Sequence, residues 1–291
     1  MRRPRSTETA RFPIDLKWNR WAVPGLVLLL VGFVGPLLLL AVYSVFHDGA
    51  SGQVVGAASL ANYAAILSDP FYLKVLRDTV LLGLVVTAAC ALLGYPLAYF
   101  LARTNSRWRP VLMFLMITPL LISSVIRNIG WIPILGDHGA LNTLLLTIGI
   151  TGSPIALMNN FTGVVIALVH ALLPYMTLLL MTVIRSISVD IEDAAKNLGA
   201  SPWRSFWRVV FPLSRRGLAA GCALVFTITV SSYTTPTILG GGRVLVMATF
   251  IAQQIQTVMH YAFGSAFAIV LFLVAVGLST LASRWLERSE V

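Results

Sequence analysis

Long stretches without a charged residue are the feature that most constrains the fold of this chain. The first stretch covers residues 21–46, and a helix of about 20 apolar residues already crosses the hydrocarbon core of a bilayer. Only 11% of the residues are charged, against about 25% in soluble domains, and the mean hydropathy is +0.85. Because backbone polar groups must find partners within the lipid, the spans must be helical. The sequence predicts an all-α integral membrane protein.

The apolar stretches predict six transmembrane helices within one domain, residues 21–283. The predicted spans are 21–46, 79–102, 111–135, 161–184, 217–237 and 261–283. Residues 1–20 precede them as a polar segment, and residues 284–291 follow them as a short charged tail. Residues 61–76 are expected to form a helix along the membrane surface. The apolar stretch 141–150 is too short to span, so it is expected to be interfacial or re-entrant.

The basic residues predict the orientation of the spans. Six spans place both termini on one side, and 17 of the 21 Lys and Arg residues then lie on that side. The positive-inside rule assigns this side to the cytoplasm. The formal charge of +10 therefore reflects topology, and no basic and aromatic surface on a soluble domain suggests nucleic-acid binding.

A polar island at 188–212, between the fourth and fifth spans, is predicted to form two short helices. Asp190 is expected to cap the first helix and Gly199 to end it. Ser201 and Pro202 are expected to begin the second helix, which Pro212 ends. The residues alone leave two interpretations open. The island is either a docking site for another protein or a surface helix anchored in the bilayer by its aromatic side chains.

The spacing in this island resembles the EAA loop of ABC importer permeases. Asp193-Ala194-Ala195 is followed after three residues by Gly199, and the island closes with Pro212. Asp193 stands where the family pattern has Glu. The resemblance implies a type I ABC importer permease fold with a cytoplasmic coupling helix between spans four and five. The residues that it assigns to coupling with an ATPase are Glu192, Asp193, Ala194, Ala195, Gly199 and Pro212.

Further motifs resemble the spermidine/putrescine-type family of such permeases, and in particular its first permease subunit. They are Gly94-Tyr95-Pro96 near the end of the second span and the polar-apolar run before Arg127. The resemblance implies a second homologous permease subunit in a heterodimer, two ATPase subunits that bind ATP and Mg, and an external solute-binding protein. It places the chain in the bacterial inner membrane, needs no cofactor in this chain, and implies a polyamine as the solute. Relatives also import amino-acid-like solutes, which stay an alternative.

Four residues are candidates for the substrate pathway. Arg127 is the one charge inside a predicted span, and such a residue usually faces a partner or a cavity, although it could also reach the outer surface. The other candidates are Tyr175, Ser232 and Tyr233. The hydroxyl groups near the end of span five either line a pathway or join helices. The spans carry no Asp or Glu that would suit a polycation, so aromatic faces or the second subunit would have to stabilise one.

No motif in the sequence predicts catalysis. The glycine run 240–242 lacks the Lys-Ser/Thr ending of a phosphate-binding loop. Cys90 and Cys222 have no metal-ligand spacing and are expected to be buried apolar residues. A transport subunit without enzymatic activity is therefore expected. An ion-coupled secondary carrier and a purely structural membrane subunit are the rival interpretations, and the coupling motif argues against both.

Overall fold

The structure is a computed structural model that describes residues 16–49 and 53–288. The described chain is mostly helical, with one two-stranded hairpin. Its elements are α1 Leu16–Ser44, β1 His47–Asp48, β2 Val54–Val55, α2 Ala61–Ser68, α3 Pro70–Arg103, α4 Arg109–Leu121, α5 Ser124–Leu135, α6 Ala140–Thr147, α7 Phe161–Ser186, α8 Val189–Asn197, α9 Pro202–Ser205, a π-helical turn Phe206–Val210, α10 Phe211–Val230, α11 Thr234–Gly240, α12 Met247–Gln253, a second π-helical turn Gln254–Val258, and α13 Tyr261–Arg288.

Five helical segments in the described part are long and apolar enough to cross a bilayer. They are Val23–Ser44, Pro70–Arg103, Phe161–Ser186, Pro202–Val230 and Tyr261–Ala282. The segments Arg109–Leu121 and Ser124–Thr147 meet at a bend of 107° and give a sixth crossing if they are counted as one span. The all-α membrane fold expected from the sequence is therefore confirmed.

The core of the molecule lies between α3, α7 and α10. Gly83 lets α3 approach α10 closely, because a Cβ atom there would lie 2.6 Å from the Phe226 ring and 2.8 Å from Val230 Cγ1. Small residues allow such close backbone approach between membrane helices, where van der Waals packing replaces the hydrophobic effect as the driving force. These three helices form the scaffold on which the candidate sites lie.

The first helix lies outside this core. The apolar side chains of α1 from Val23 onward are largely exposed, and the helix packs on α13. The hairpin that follows fixes the C-terminal end of α1, because the Asp48 carboxylate accepts hydrogen bonds from the Ala262 and Phe263 amides over 2.8 and 2.9 Å. These amides belong to the first turn of α13, where a carboxylate is favoured by the helix dipole.

The predicted surface helix is shorter than expected and the second span is longer. Helix α2 ends at Ser68, and α3 begins at Pro70, nine residues before the predicted start of span two. Asp69 caps α3 by accepting from the Phe71 amide over 2.8 Å, and Pro70 suits the first helical position because its missing N–H would have no partner there. The Asp69 cap and Pro70 thus end the surface helix before residue 76 and start the second span earlier than hydropathy predicts.

The third predicted span, 111–135, consists of two helices. Ile122 and Ser123 have extended backbone and separate α4 from α5. The Arg127 guanidinium donates from Nη1 to the Pro119 carbonyl over 2.7 Å, which supplies a partner to a carbonyl in the last turn of α4. Hydropathy alone could not reveal this break, because both helices are apolar.

The polar island 188–212 also differs from its predicted boundaries. Ser188, rather than Asp190, caps α8, accepting from the Asp190 amide over 3.2 Å. The second helix does not end at Pro212 but continues through the first π-helical turn into α10. Pro212 is tolerated in the first turn of α10, and the wider turn before it ends with the Phe211 amide bonded to the Phe206 carbonyl.

The fifth and sixth spans end elsewhere than predicted. Helix α10 ends at Val230 instead of 237, and α11 begins afresh at Thr234. Pro236 explains the restart, because in a continuous helix its ring would clash with the carbonyl of Ser232. Helix α13 continues past 283 to Arg288, so most of the predicted tail is helical. The predicted segment 1–20 lies mostly outside the described residues.

Candidate docking and translocation sites

Helix α8 presents an exposed apolar strip at the end of the helical scaffold. Ile191, Ala194 and Leu198 recur at steps of three and four and are all exposed, Leu198 to 90%. Asp190 and Asp193 are exposed on the adjoining face. Because an anionic bilayer surface repels carboxylates, this combination favours a protein partner over a helix lying on lipid.

Glu192 is the one predicted coupling residue that points into the molecule. Its residue is 3% exposed, and its carboxylate accepts from Arg103 Nε over 2.8 Å and from the Tyr99 hydroxyl over 3.0 Å. Arg103 also donates from Nη2 to the Ile187 carbonyl over 3.0 Å. Glu192 therefore joins α8 to the end of α3 and to the chain leaving α7, rather than forming the outer surface.

The neighbouring coupling residues lie outward. Asp193 accepts from Lys196 Nζ over 2.8 Å, and this hydrogen bond raises the pKa of Lys196 above its ordinary value. Lys196 is therefore charged at physiological pH, and the stabilisation that comes from its raised pKa is lost as the pH rises through that pKa. Both side chains are about half exposed, so the pair contributes little to stability. Ala194 is exposed and Ala195 is half-buried, which leaves a small-residue face open to close approach.

Gly199 forms the turn between α8 and α9. Its φ is +85°, and the Gly199 and Ala200 amides bond to the Lys196 and Ala195 carbonyls over 2.9 and 3.0 Å. This is the Schellman pattern, in which glycine takes the left-handed position without the strain of a Cβ atom. Ser201 then caps α9 at the Arg204 amide. Pro212 is half-buried in α10 and lies apart from the α8 surface.

Two of the four pathway candidates, Arg127 and Tyr175, come together beside the middle of α7. Arg127 interacts electrostatically with Tyr175 and with His170. These two residues lie about 14 and 21 Å along a helix that is about 39 Å long. Arg127 thus lies near the middle of α7, because Trp131, four residues after it in α5, contacts His170, and it follows the break between α4 and α5.

The surroundings of Arg127 are polar and partly open. His170 and Tyr175 are exposed, and the Trp131 ring meets the His170 ring edge-on at 5.4 Å. Arg127 Nε is buried and has no hydrogen-bond partner among the described residues. A guanidinium with an unused donor is suited to bind an acceptor that approaches from the open side.

The other two candidates, Ser232 and Tyr233, lie beside α11. Tyr233 lines a cavity of about 220 Å³, while Ser232 is half-buried and is not among the residues that line it. Polar side chains from the segment before α13 also line this cavity, namely Thr249, Gln253, Gln256 and Thr257. Sequence reasoning missed them, although Thr249, Gln253 and Gln256 recur at helical spacing and could have been recognised as one polar face.

A buried hydrogen bond connects the two groups of candidates. Asn128 Nδ2 donates to Thr235 Oγ1 over 3.1 Å, and both residues are buried. Asn128 is next to Arg127 in α5, and Thr235 is two residues after Tyr233 in α11. Helix α5, which follows the break in the third span, therefore contacts α11, which follows the end of α10. This contact positions Arg127 and Tyr233 on one side of α7.

The part of the chain that contains the broken span and the exposed helix α8 matches a known protein family. The family model described as "binding-protein-dependent transport system inner membrane component" matches residues 94–290, which include α8 and Arg127. The chain belongs to this family. It is a multi-pass permease subunit of an ABC importer, and a permease subunit of this kind is a transport component rather than an enzyme.

Relatives of this permease carry the name spermidine/putrescine transport system permease protein PotB. The protein from Escherichia coli strain K12 is 36% identical over 247 residues, covering 85% of this chain and 89% of its own length. The protein from Haemophilus influenzae is 34% identical over 245 residues, covering 84% of this chain and 82% of its own. The expected membership of the spermidine/putrescine-type family is therefore confirmed.

Solved structures share the fold of this permease. A chain of a bacterial alginate ABC transporter, in complex with an alginate-bound periplasmic protein, superposes with a TM-score of 0.75 at 16% identity. The match covers 94% of this chain and 95% of that one. A chain of the MetNI methionine ABC transporter gives a TM-score of 0.58 over 74% of this chain and 94% of its own. At these identities the likeness establishes the type I importer fold.

Proposed function

We propose that this permease carries a polyamine across the inner membrane. The observation that carries the proposal is the 34–36% identity to two PotB proteins over more than four fifths of each chain. The Asp193-Ala194-Ala195 motif on the exposed face of α8 supports it, because such a face provides a contact for an ATPase. A polyamine would find aromatic side chains along the scaffold, which stabilise cations through their π faces.

The importer would contain a second homologous permease, two ATPase subunits with ATP and Mg, and an external binding protein. Several exposed surfaces support such an assembly. Helix α8 offers a site for an ATPase, and α1 leaves its apolar side chains exposed to a second permease or to lipid. The unequal distribution of Lys and Arg supports cytoplasmic termini, which would place α8 on the side of the ATPases.

Transport would follow an alternating-access cycle. ATP binding closes the two ATPase subunits, α8 moves with them, and the spans open outward to receive the solute. Hydrolysis returns the spans to the inward-open arrangement. In this permease, the bonds from Arg103 and Tyr99 to Glu192 would carry the movement of α8 to α3, because they join the two helices directly.

A solute that carries a carboxylate is the second candidate. The observation that favours it is the position of Arg127 and His170 beside the middle of α7, where a cation attracts an anion. Neither α4, α5, α7, α10 nor α11 contains an Asp or a Glu. An amino-acid-like solute would fit this cluster, whereas a polyamine would need carboxylates from the second permease.

The deciding experiment is purification of the assembled importer from native membranes, followed by reconstitution. The rate of ATP hydrolysis is measured with the co-purified binding protein and either putrescine, spermidine or a set of amino acids. Stimulation by a polyamine supports the first candidate, and stimulation by carboxylate-bearing solutes alone supports the second. A chain that purifies alone and transports without ATP would contradict the importer itself.

A further inference from the structure

A groove of about 610 Å³ runs between α3 and the helical segment formed by α9, the first π-helical turn and α10. Its walls are apolar and largely aromatic. The lining residues are Ala91, Leu92, Tyr95, Pro96, Tyr99, Pro202, Trp203, Phe206, Trp207, Phe211 and Leu218. None of them belongs to α5, α7 or α11, so the groove is separate from the residues that the structure places around Arg127.

The length of the groove is close to the thickness of one leaflet. Along α3 its lining extends from Ala91 to Tyr99, a rise of about 12 Å, and half of a hydrocarbon core is about 15 Å. Trp203, 72% exposed, lies on the groove wall near the C-terminal end of α3. Tryptophan is enriched where hydrocarbon meets the polar head groups. The groove therefore extends from the head-group level toward the middle of the membrane.

Arginine residues lie next to the aromatic lining residues of the groove. Arg204 and Arg208 are exposed beside the lining tryptophans, and neither forms an ion pair within the described residues. The Arg215 guanidinium lies 5.7 Å from the centre of the Phe211 ring, on the groove wall. None of the described lining residues is acidic. An occupant with an apolar chain and an anionic head is complementary to this arrangement.

We propose that the groove binds one anionic phospholipid of the cytoplasmic leaflet. An acyl chain lies along α3, and the phosphate binds at Arg204 and Arg208. The orientation of the groove rests on the proposed function, which places this end of α3 in the cytoplasm. The binding chemistry itself rests on the apolar walls and the neighbouring guanidinium groups.

The lipid would contact the side chains that connect the spans with helix α8. The Tyr95 hydroxyl shares a hydrogen bond with Ser214 of α10, and the Tyr99 hydroxyl donates to Glu192 of α8. Both tyrosine rings line the groove. A bound acyl chain would hold these rings against α10 and α8, so the proposed lipid stabilises the junction through which α8 moves.

Native mass spectrometry of the whole importer tests the proposal. The complex is extracted from membranes that contain both phosphatidylglycerol and phosphatidylethanolamine, and the retained phospholipids are counted and identified. We expect one tightly held phosphatidylglycerol for each copy of this chain. The double variant Arg204→Gln, Arg208→Gln should bind it about 30-fold more weakly. Each arginine near an anionic head group strengthens the affinity about fivefold, and the two factors multiply. Arg185→Gln is the control, because Arg185 is exposed at the end of α7 that precedes α8 and does not line the groove.

A second variant tests the groove rather than the charges. Leu92→Trp fills the groove and should displace the lipid of either head group, whereas Leu93→Trp adds the same ring on an exposed position outside the lining. Equal retention of both lipids by the wild-type chain would overturn the proposal. So would undiminished lipid binding in the double arginine variant or in Leu92→Trp. Cross-linking of a Leu92→Cys variant to the second permease would also overturn it, because a protein would then cover the groove. The lipid count does not depend on transport, so a failed transport assay contradicts only the proposed function.

Discussion

The Arg103 guanidinium donates from Nε to the Glu192 carboxylate over 2.8 Å and thereby joins the last residue of α3 to the first turn of α8. Both side chains are mostly buried, at 16% and 5% exposure. Since α3 belongs to the central three-helix core, helix α8 is attached to the core through this pair. A movement of α8 is therefore transmitted to α3 through this side-chain contact as well as along the backbone.

Replacing Glu192 by Gln should weaken the attachment of α8. The variant removes the charge that Arg103 contacts, and hydrogen bonds to charged groups contribute about 1.5–3 kcal/mol. We expect a loss of about that size in the free energy of unfolding of the purified importer, visible as a lower midpoint of thermal unfolding. ATP hydrolysis should also become less dependent on the loaded binding protein, because α8 moves more independently of α3.

Asp193→Asn is the matched control for this change. Asp193 is exposed and pairs only with Lys196, so its loss should change stability by less than about 0.5 kcal/mol. Its effect should instead be on binding of the ATPase. Equal thermal midpoints for the Glu192 and Asp193 variants would contradict the internal role assigned to Glu192.

Substituting Gly199 should alter the angle between α8 and α9. At φ +85° a β-branched residue is strained, and a left-handed conformation costs about 1–2 kcal/mol for residues with a Cβ atom. We expect Gly199→Val to reduce co-purification of the ATPase about tenfold while membrane insertion stays normal. Asn tolerates this conformation, so Gly199→Asn should co-purify nearly as well as the wild-type chain. Similar losses for both variants would point to steric contact at the interface instead.

Much of this fold could be predicted because lipid leaves few alternatives for an apolar chain. The uncharged stretches 21–46, 161–184 and 261–283 each lie almost wholly within one long helix, since unpaired backbone groups in hydrocarbon are costly. Gly199 also formed the predicted turn, because its conformational requirement is local. Ser201 and Pro202 began a helix as expected, for the same reason.

The breaks and internal contacts could not be predicted from hydropathy. The interruption at Ile122 and Ser123 depends on a bond from Arg127 back to Pro119, which no periodic pattern contains. The inward direction of Glu192 depends on Arg103, 89 residues earlier in the chain. Such tertiary contacts decide which of two adjacent carboxylates, Glu192 or Asp193, is buried.

Neutralising Arg127 should impair transport without preventing assembly. Arg127→Gln loses a charged hydrogen bond to the Pro119 carbonyl at the break of the third span, which corresponds to about a 10- to 100-fold effect. We expect transport to fall by that factor in proteoliposomes, while Arg127→Lys retains more activity because it keeps the charge. Arg185→Gln, at the end of α7, should transport normally. Unchanged transport in Arg127→Gln would remove this residue from the pathway.

Enlarging Gly83 should separate α3 from α10. The added methyl group of Gly83→Ala would lie 2.6 Å from the Phe226 ring and 2.8 Å from Val230, and overpacking of this kind costs about 1–3 kcal/mol. We expect a lower midpoint of thermal unfolding, followed by intrinsic tryptophan fluorescence. Gly277→Ala in α13 is the control, since a Cβ atom there meets nothing within 4 Å and should leave the midpoint unchanged or slightly higher.

Adding Phe226→Leu to Gly83→Ala should recover part of the loss, because the smaller leucine side chain leaves room for the new methyl group. No recovery in the double variant would show that the contact with Val230, rather than with the ring, limits the approach of the two helices.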